Sequence, residues 1–413
     1  MHAEIITIGD ELLIGQVLNT NQAFIAEKLN GIGVTIERMT TVGDDRAKIL
    51  EAFRSAWERC SIVIVTGGLG PTHDDVTKKA VCEFFDSDLM PNEEIRRHVT
   101  ELAKKWNRPW SQAYEEQVMF PRKAQLIPNP VGTAGGMLFE EAGKYLIVLP
   151  GVPYEMKEMM LRTVVPFLAS KVVDRTIRHL TLRTTGISES MLEQQLGDLN
   201  DVLQGARLAF LPSPTGVRLR ITVHAQDAST AETKLHEVEQ RIRARVQKYI
   251  YGTNDEELEE VVGRLLTERG LTIAVAESCT GGLIADRITN VSGSSNYFER
   301  GVVVYSNRSK VELLGVSELL IRDHGAVSRE VAEAMAAGVR KLAGTDIGIS
   351  TTGIAGPTGG TPEKPVGLVW VGYADASTSL ALRFQFGELR RYVKERASQA
   401  ALELVRRRLL NIE

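Results

Sequence analysis

The segment from Thr272 to Gly282 carries the residues best suited to chemistry in this sequence. An apolar run ends at Ser278 and Cys279, and two glycines follow before an amphipathic stretch begins at Leu283. A hydroxyl or thiol in such a strand–turn–helix segment can attack an acyl carbon, because free N–H groups at a helix N-terminus stabilise the negative charge that develops on the carbonyl oxygen. The pattern therefore indicates acyl transfer, and the alternative is that Ser278 only caps the helix.

An activated serine needs a base, and two candidates follow Ser278 along the chain. His324 is the only histidine in residues 255–413, so a Ser–His–Asp triad would have to use it. Lys310 is the alternative, because a desolvated lysine loses its proton and can act as the base of a Ser–Lys pair. Lys310 also follows a predicted strand end, where sites in open α/β sheets lie. The simpler interpretation of Lys310 is a solvated lysine on a helix.

A second cluster of candidate residues follows an apolar run that ends at Val65. Its glycines would let the backbone approach an anion. Asp74 and Asp75 would supply oxygen ligands for a divalent cation, and Asp44, after another strand, could converge on the same site. These aspartates could instead only cap helices. The other residues of this N-terminal site are Gly67, Gly68, Gly70, Thr72 and Thr77.

The elements that would position these residues alternate between strands and helices in both halves of the chain. In the N-terminal half, strands are predicted over 4–8, 34–39, 61–65 and 145–149, and helices over 21–29 and 46–59. In the C-terminal half, a strand is predicted in the apolar run that begins at Thr272 and leads to Ser278, and further strands are predicted over 301–305, 346–350, 366–373 and 379–386. Helices are predicted over 256–268, 283–288 and 390–410. Continuous apolar strands joined by helices predict parallel sheets covered on both faces.

The middle of the chain has a different pattern. Shorter strands are predicted over 179–183 and 217–223, followed by one long helix over 231–249. The second strand alternates apolar and basic residues, which predicts one solvated face. The predicted fold class is therefore α/β, with two three-layer α/β domains, residues 1–170 and 253–413, joined by a small α+β linker domain, residues 171–252.

The composition excludes several classes of protein. The chain has 413 residues, 25% of them charged, and a formal net charge of -4, so no overall positive field favours nucleic acid or an anionic membrane. The N-terminal residues lack the basic-then-apolar order of a signal peptide, and no apolar run is long enough to span a bilayer. Three widely spaced cysteines predict neither a disulfide framework nor a cysteine zinc site. We expect a cytoplasmic protein with no membrane partner.

Five segments in the C-terminal half together resemble the CinA C-terminal domain, and the resemblance covers residues 255–413. That family comprises nicotinamide mononucleotide deamidases, so the resemblance implies hydrolysis of the nicotinamide carboxamide to nicotinic acid mononucleotide and ammonia, without a cofactor. It also implies Ser278 as the nucleophile, Lys310 as its base and Tyr305 in the same site. The segments are Ala276–Gly282, Phe298–Asn307, His324–Ser328, Gly353–Pro357 and Lys364–Gly367.

The residues expected to bind the substrate lie in two glycine-rich loops and at the start of the last helix. The second loop, residues 352–360, follows a predicted strand and could surround a phosphate or sugar with backbone groups. The family carries Gly-Asp-Arg before the last helix, whereas this chain has one extra residue between Gly387 and Arg390, so Lys394 and Arg396 are alternatives to Arg390. The predicted substrate-binding residues are Thr280, Gly281, Gly282, Gly353, Gly356 and Arg390.

Four segments in residues 1–165 resemble the molybdopterin-binding fold as CinA proteins use it. The resemblance implies a metal-dependent ADP-ribose pyrophosphatase, with the acidic positions of the fold at Asp44 and Asp75 and a divalent metal of unspecified identity. Molybdopterin binding and a site that has lost its activity are the alternatives, because the fold alone does not choose among them. The segments are Gly9–Gly15, Thr66–Thr77, Thr133–Gly136 and Leu149–Pro153.

The middle region resembles the KH-type linker of the same family. Residues 172–251 contain no Gly-x-x-Gly loop, by which KH domains hold a nucleic-acid backbone, so we expect a spacer or dimer element and no nucleic-acid partner. The resemblance implies a homodimer. The predicted function is a pyridine-nucleotide salvage hydrolase acting on nicotinamide mononucleotide and ADP-ribose. The alternative is a competence-linked or molybdopterin-binding regulatory protein.

Overall fold

The computed structural model describes residues 1–70, 76–172 and 176–412. The chain divides into two compact units, one made of residues 1–178 and 223–233 and the other of residues 179–222 and 234–413. Both units are built from sheets and helices, which confirms the predicted α/β fold class. Among the described residues, no helix combines the length and apolarity needed to cross a membrane.

Six strands of the first unit form one sheet in the order β2-β1-β3-β8-β7-β6, and β4 pairs with β5. The first four are parallel, as predicted, whereas β7 pairs antiparallel with β8, and β6 pairs antiparallel with β7. The strands are β1 (His2–Ile8), β2 (Thr35–Val42), β3 (Ile62–Thr66), β4 (Leu89–Pro91), β5 (Met119–Pro121), β6 (Gln125–Ile127), β7 (Gly136–Glu141) and β8 (Lys144–Leu149).

Helices cover both faces of this sheet because its central strands are apolar on both sides. Val63 and Val65 pack in one buried cluster, while Ile62 and Ile64 pack in another on the opposite face. The helices are α1 (Asp10–Leu13), α2 (Thr20–Gly31), α3 (Arg46–Arg59), α4 (Thr77–Phe84), α5 (Glu93–Lys105), α6 (Gln112–Val118), α7 (Pro153–Met159) and α8 (Val165–Ala169), with a π-helical turn at Met160–Val164.

The middle region forms a sheet in the order β10-β11-β9-β12. In the strand Gly216–Ala225, buried residues alternate with the exposed Arg218 and Arg220, as the sequence pattern predicted. The elements are β9 (Thr176–Thr184), α9 (Glu189–Leu196), α10 (Leu199–Leu203), β10 (Arg207–Ser213), β11 (Gly216–Ala225), α11 (Ala228–Val246), a 3-10 turn at Gln247–Tyr249 and β12 (Ile250–Thr253).

The C-terminal part has a five-stranded sheet in the order β14-β13-β15-β16-β17. β14, β13 and β15 are parallel, and β16 and β17 form the predicted antiparallel pair. The elements are α12 (Leu258–Arg269), β13 (Ile273–Glu277), α13 (Leu283–Thr289), a 3-10 turn at Ser294–Asn296, β14 (Phe298–Val303), α14 (Asn307–Leu314), α15 (Glu318–His324), α16 (Arg329–Ala343), β15 (Ile347–Gly353), β16 (Leu368–Ala374), β17 (Ser379–Gln385) and α17 (Arg390–Leu410).

This sheet is also buried on both faces, because successive residues of β13 enter different clusters. Ile273 and Val275 pack on the side of α17, and Ala274 and Ala276 pack on the side of α16. The sheet therefore holds the carboxyl end of β13 rigidly between two neighbouring strands.

Helix α17 also contacts the linker within this compact unit. Arg396 Nε donates to the Pro214 carbonyl at 3.2 Å. Arg406, which is buried, donates to the Lys248 carbonyl at 2.7 Å. The last helix is therefore shared between the C-terminal sheet and the linker.

Candidate functional site

Ser278 directly follows β13 at the carboxyl edge of the C-terminal sheet. Its N–H donates to the Thr351 carbonyl at 3.0 Å, so the hydrogen bonding to β15 continues one residue past the strand. Helix α13 begins only at Leu283, and its N-cap is Gly282. The sequence pattern placed Ser278 at a helix N-terminus, either as a cap or as a nucleophile beside free helical N–H groups. Both interpretations are therefore wrong about this position. A separate turn carries Ser278.

The N-terminus of α13 is occupied by the side chain of Glu277. Its carboxylate accepts hydrogen bonds from the N–H groups of Gly282, Ile284 and Ala285. Since these N–H groups are already paired, they are not available to an oxyanion. Glu277 had no role in the prediction, because nothing in the apolar pattern distinguishes it from a strand-end residue.

Lys310 lies beside Ser278, as the Ser–Lys hypothesis requires. Its side chain is only 1% exposed, and Nζ lies 3.1 Å from Ser278 Oγ. Nζ also donates to the carbonyl oxygens of Val304 at 2.8 Å and Tyr305 at 3.2 Å. The amine thus faces three oxygen atoms and no carboxylate is among these contacts. The solvated-lysine interpretation of Lys310 is wrong.

The electrostatics of the site favour a neutral Lys310. Burial lowers the pKa of its ammonium group from the ordinary value, because removing charge from water is costly. A Cys279 thiolate would oppose this shift, but burial raises the pKa of that thiol to about 12. Cys279 therefore stays neutral and leaves the lowered pKa of Lys310 in place.

Cys279 and Thr280 are both buried, so their side chains point away from solvent. Cys279 belongs to the apolar cluster between the sheet and α17. Thr280 Oγ1 lies 2.7 Å from Thr351 Oγ1 on β15. These contacts hold the turn, and they leave the main chain of Thr280, rather than its hydroxyl, as the group that could meet a substrate. Gly281 and Gly282 follow with φ of 62° and 97°, values that favour glycine.

Tyr305 and Arg390 come together from distant parts of the sequence. The strand predicted over 301–305 ends at Val303, so Tyr305 lies in the connection to α14 and is 63% exposed. Arg390 donates to Tyr305 Oη at 3.1 Å and to the Gly356 carbonyl at 2.9 Å. The structure thus joins three of the predicted site residues, one from the second glycine-rich loop.

The alternatives to Arg390 have different surroundings. Arg396 is the residue that binds the Pro214 carbonyl of the linker. Lys394 lies near the turn that carries Ser278, since a Cβ placed on Gly281 would be 3.6 Å from the Lys394 Nζ.

Gly353, another predicted substrate-binding residue, ends β15. A Cβ placed on Gly353 would come within 2.7 Å of the Leu368 carbonyl.

His324 makes none of the contacts described for Ser278. It ends α15, and its Nδ1 lies 3.6 Å from a carboxylate oxygen of Glu330. Within the described residues, the hydrogen-bond partner of Ser278 Oγ is Lys310. The geometry therefore favours the lysine base over a histidine base.

The N-terminal candidate residues lie at the carboxyl edge of the other sheet. Gly67 and Gly68 have φ of 115° and 63°. A Cβ on Gly67 would come within 2.1 Å of the Ile8 carbonyl, and one on Gly68 within 2.2 Å of Thr77 Oγ1. Thr77 Oγ1 is buried and has no hydrogen-bond partner in the described parts of the chain. Glycine alone fits both positions without a clash, and the Thr77 hydroxyl oxygen faces Gly68.

Other predicted residues of this site are outside the described part. Thr72, Asp74 and Asp75 lie there, and Gly70 is the last described residue before them. Asp44 is described: its Oδ2 accepts from the Asp10 N–H at 3.0 Å, and Asp10 Oδ1 accepts from the Asp44 N–H at 3.2 Å. Among residues 1–70, 76–172 and 176–412, no group of three or more His, Cys, Asp or Glu could hold a metal ion.

Asp10 and Asn21 belong to this edge of the sheet and were missed as site residues. Asp10 lies within the Gly9–Gly15 segment, which was used only for the family resemblance. Asn21 donates to the Gly151 carbonyl at 2.7 Å, while its Oδ1 is buried without a partner among the described residues. Asn21 stands between the polar residues Thr20 and Gln22 at the start of α2, so nothing in the sequence signalled its burial.

Comparisons with known proteins assign three regions of the chain. Residues 4–170 match the model of a probable molybdopterin binding domain. Residues 179–252 match the damage-inducible protein CinA KH domain, and residues 255–409 match the CinA C-terminal domain. The three matches lie in the order expected from the sequence motifs.

Individual relatives match over nearly the whole chain. A CinA-like protein from Salinibacter ruber is 47% identical over 411 residues, covering 99% of this chain and 100% of the relative. A CinA-like protein from Chloroherpeton thalassium is 46% identical over 420 residues, covering 100% of both. The crystal structure of competence/damage inducible protein CihA from Agrobacterium tumefaciens is 38% identical, covers 36% of this chain and 93% of its own, and has a TM-score of 0.35. This chain belongs to the CinA family.

Proposed function

We propose that the C-terminal part of this chain hydrolyses the carboxamide of nicotinamide mononucleotide, giving nicotinic acid mononucleotide and ammonia. The observation that carries the proposal is the buried Lys310 amine 3.1 Å from the Ser278 hydroxyl. We take the substrate class from the CinA family, because the sequence motifs of residues 255–413 resemble those of its nicotinamide mononucleotide deamidases.

The contacts of Lys310 explain how it would act as a base. A neutral amine has two N–H groups and one lone pair. The Val304 and Tyr305 carbonyls accept two hydrogen bonds from Nζ, which accounts for both N–H groups. The lone pair is then left for the third neighbour, the Ser278 hydroxyl, whose proton it can accept.

The reaction would proceed through an acyl-enzyme. Ser278 Oγ attacks the carboxamide carbon while Lys310 takes its proton, and a tetrahedral intermediate forms. Lys310 then protonates the amide nitrogen, the C–N bond breaks, and ammonia leaves. Water next attacks the ester, Lys310 takes one of its protons, and returning that proton to Ser278 Oγ releases the carboxylate product.

The oxyanion donors would come from the turn itself. Glu277 already pairs with the N–H groups at the start of α13. The main-chain N–H groups of Cys279, Thr280 and Gly281 lie between Ser278 and that helix, so they are the candidate donors. Backbone donors of this kind suit a charge that develops only during the reaction.

The phosphate of the substrate would bind near the start of α17. Arg390 already donates to the Tyr305 hydroxyl and to Gly356, which fixes the guanidinium close to the second glycine-rich loop. Lys394 adds a cation beside Gly281. A guanidinium suits bidentate phosphate recognition, so Arg390 is preferred over Lys394 for this role.

The test compares wild-type protein with Ser278→Ala on nicotinamide mononucleotide. Ammonia release and mass-spectrometric detection of nicotinic acid mononucleotide are the measurements, and Ser377→Ala, in the β16–β17 turn, is the matched control. We expect turnover in wild type and the control but not in Ser278→Ala. An inactive wild type would contradict the proposal and favour a regulatory role, whereas an active Ser278→Ala would reject Ser278 as the nucleophile.

A second candidate function, ADP-ribose pyrophosphate hydrolysis, is favoured by the N-terminal edge. Gly67 and Gly68 form a left-handed turn at the carboxyl edge of the sheet, and the Thr77 hydroxyl, which has no partner among the described residues, faces Gly68. Asp10 and Asp44 would provide oxygen ligands for a divalent metal there, and such a metal neutralises phosphate charge and activates water. The described carboxylates fit a metal only in part, because Asp74 and Asp75, two of the three predicted metal ligands, lie outside the described residues.

This second function is tested with Asp44→Asn. We expect metal-dependent ADP-ribose hydrolysis to fall while deamidation is unchanged, with Asp88→Asn as the surface control. Unchanged ADP-ribose turnover would reject the role of Asp44. Pterin binding without ADP-ribose turnover in wild type would favour the molybdopterin alternative. We also propose a homodimer, which sedimentation velocity tests.

A further inference from the structure

Glu277 is a buried carboxylate immediately before the nucleophile, and no step of the proposed mechanism uses it. The residue is 1% exposed. Oε2 accepts from the N–H groups of Gly282 at 2.9 Å and Ile284 at 3.1 Å, and Oε1 accepts from that of Ala285 at 2.9 Å. A single side chain therefore connects the end of β13 to the start of α13, across the turn that carries Ser278.

The backbone of Glu277 is connected to the base as well. Its carbonyl accepts from the Val304 N–H at 2.8 Å, and the carbonyl of Val304 accepts from Lys310 Nζ at 2.8 Å. One residue, Val304, thus links the main chain of Glu277 to the amine of Lys310. The side chain of Glu277 fixes the nucleophile turn, and its main chain fixes an acceptor of the base.

The chemistry of the three N–H donors requires a carboxylate. An amide could present its one oxygen to Gly282 and Ile284, but its NH2 group would then face the N–H of Ala285, and two donors cannot pair. The remaining buried N–H would lose its partner, which is costly in the interior. A glutamine at 277 should therefore displace the turn, even though its volume is nearly the same.

We propose that Glu277 is a positioning residue for deamidation, which holds the Ser278 hydroxyl within reach of Lys310. The inference rests on the proposed function for its substrate but not for its geometry. Ser278 is 3.1 Å from Nζ, so a displacement of about 1 Å would break the hydrogen bond through which the proton moves. Substrate binding through Arg390 does not depend on Glu277.

The experiment measures deamidation by wild type, Glu277→Gln and Glu277→Asp, together with sulfonyl fluoride labelling of Ser278 followed by peptide mass spectrometry. Glu403→Gln is the matched control, because Glu403 is a buried carboxylate in the same compact unit that pairs with Arg406 and Arg407. We expect Glu277→Gln to lower kcat by about ten- to a hundredfold with KM within twofold of wild type. Labelling of Ser278 should slow in parallel.

A merely structural role would lower the melting temperature but leave kcat per folded molecule unchanged, as we expect for Glu403→Gln. A normal kcat and a normal labelling rate in folded Glu277→Gln would overturn the inference. If Glu277→Gln does not fold, Glu277→Asp decides in the same way, since it keeps the charge but shortens the reach. Slow labelling in the variant beside a wild type that releases no ammonia would support Glu277 and reject the proposed substrate.

Discussion

Replacing Lys310 tests the proposed mechanism most directly. Lys310→Ala removes the only base whose nitrogen contacts Ser278 Oγ among the described residues. Loss of general base catalysis costs about 10²- to 10⁴-fold in rate, equivalent to about 2.7–5.4 kcal/mol of activation free energy. We therefore expect kcat/KM for nicotinamide mononucleotide to fall by at least about a hundredfold, within that range.

Lys310→Arg should not restore activity. A guanidinium stays protonated, so it can donate to the Val304 and Tyr305 carbonyls but cannot accept the Ser278 proton. It is also larger than the amine in a position that is almost fully buried. The arginine variant thus separates the need for a hydrogen-bond donor from the need for a base.

The assay is the initial rate of ammonia release over a range of substrate concentrations, with product identified by chromatography and folding confirmed by thermal melting. His324→Ala is the control, because that imidazole lies near Glu330 and makes none of the contacts described for Ser278. It should retain near-normal turnover. A near-normal Lys310→Ala beside an inactive His324→Ala would refute the Ser–Lys reasoning and restore a histidine base.

Four further predictions follow from the site and from the N-terminal edge. Since burial lowers the pKa of Lys310, and only its neutral form accepts a proton, kcat/KM should rise with pH and then level off, with the midpoint of the rise below pH 10.5. A kcat/KM that falls as the pH increases toward 10.5 would contradict this prediction. Cys279→Ala should keep substantial deamidase activity, and an inactive variant would contradict this. Exhaustive chelation should leave ammonia release intact, and a loss of activity that added metal restores would contradict that. Gly68→Ala should lower the melting temperature, because its Cβ would lie 2.2 Å from Thr77 Oγ1, and an unchanged melting curve would exclude this.

The sequence predicted the elements around the nucleophile well because those strands are apolar on both faces. The run before Ser278 has no polar interruption until Glu277, and the structure places β13 over Ile273–Glu277. The edge strand β14 was predicted less well, at 301–305 instead of Phe298–Val303. Its residues are mostly exposed or half-buried, so hydrophobic pattern alone does not define where it ends.

The burial and protonation of the site residues depend on contacts between distant segments of the chain. Lys310 belongs to a short helix whose local sequence resembles a solvated one, and its burial results from packing beside Ser278, 32 residues earlier. Motif resemblance selected Lys310 without showing why it would be neutral. Glu277 was overlooked for the related reason that its three partners lie beyond a turn whose geometry the sequence pattern does not specify.

The shared helix α17 limits how this protein can be divided. Arg396, Gln399 and Arg406 project donors from it to Pro214, Thr185 and Lys248, all in the linker. An excised fragment of residues 255–413 would lose all three acceptors at once and would expose Arg406, which is 2% exposed in the full chain. A free-standing C-terminal fragment would therefore need other residues at these three positions, whereas transplanting the linker together with residues 255–413 would preserve the helix that begins at Arg390.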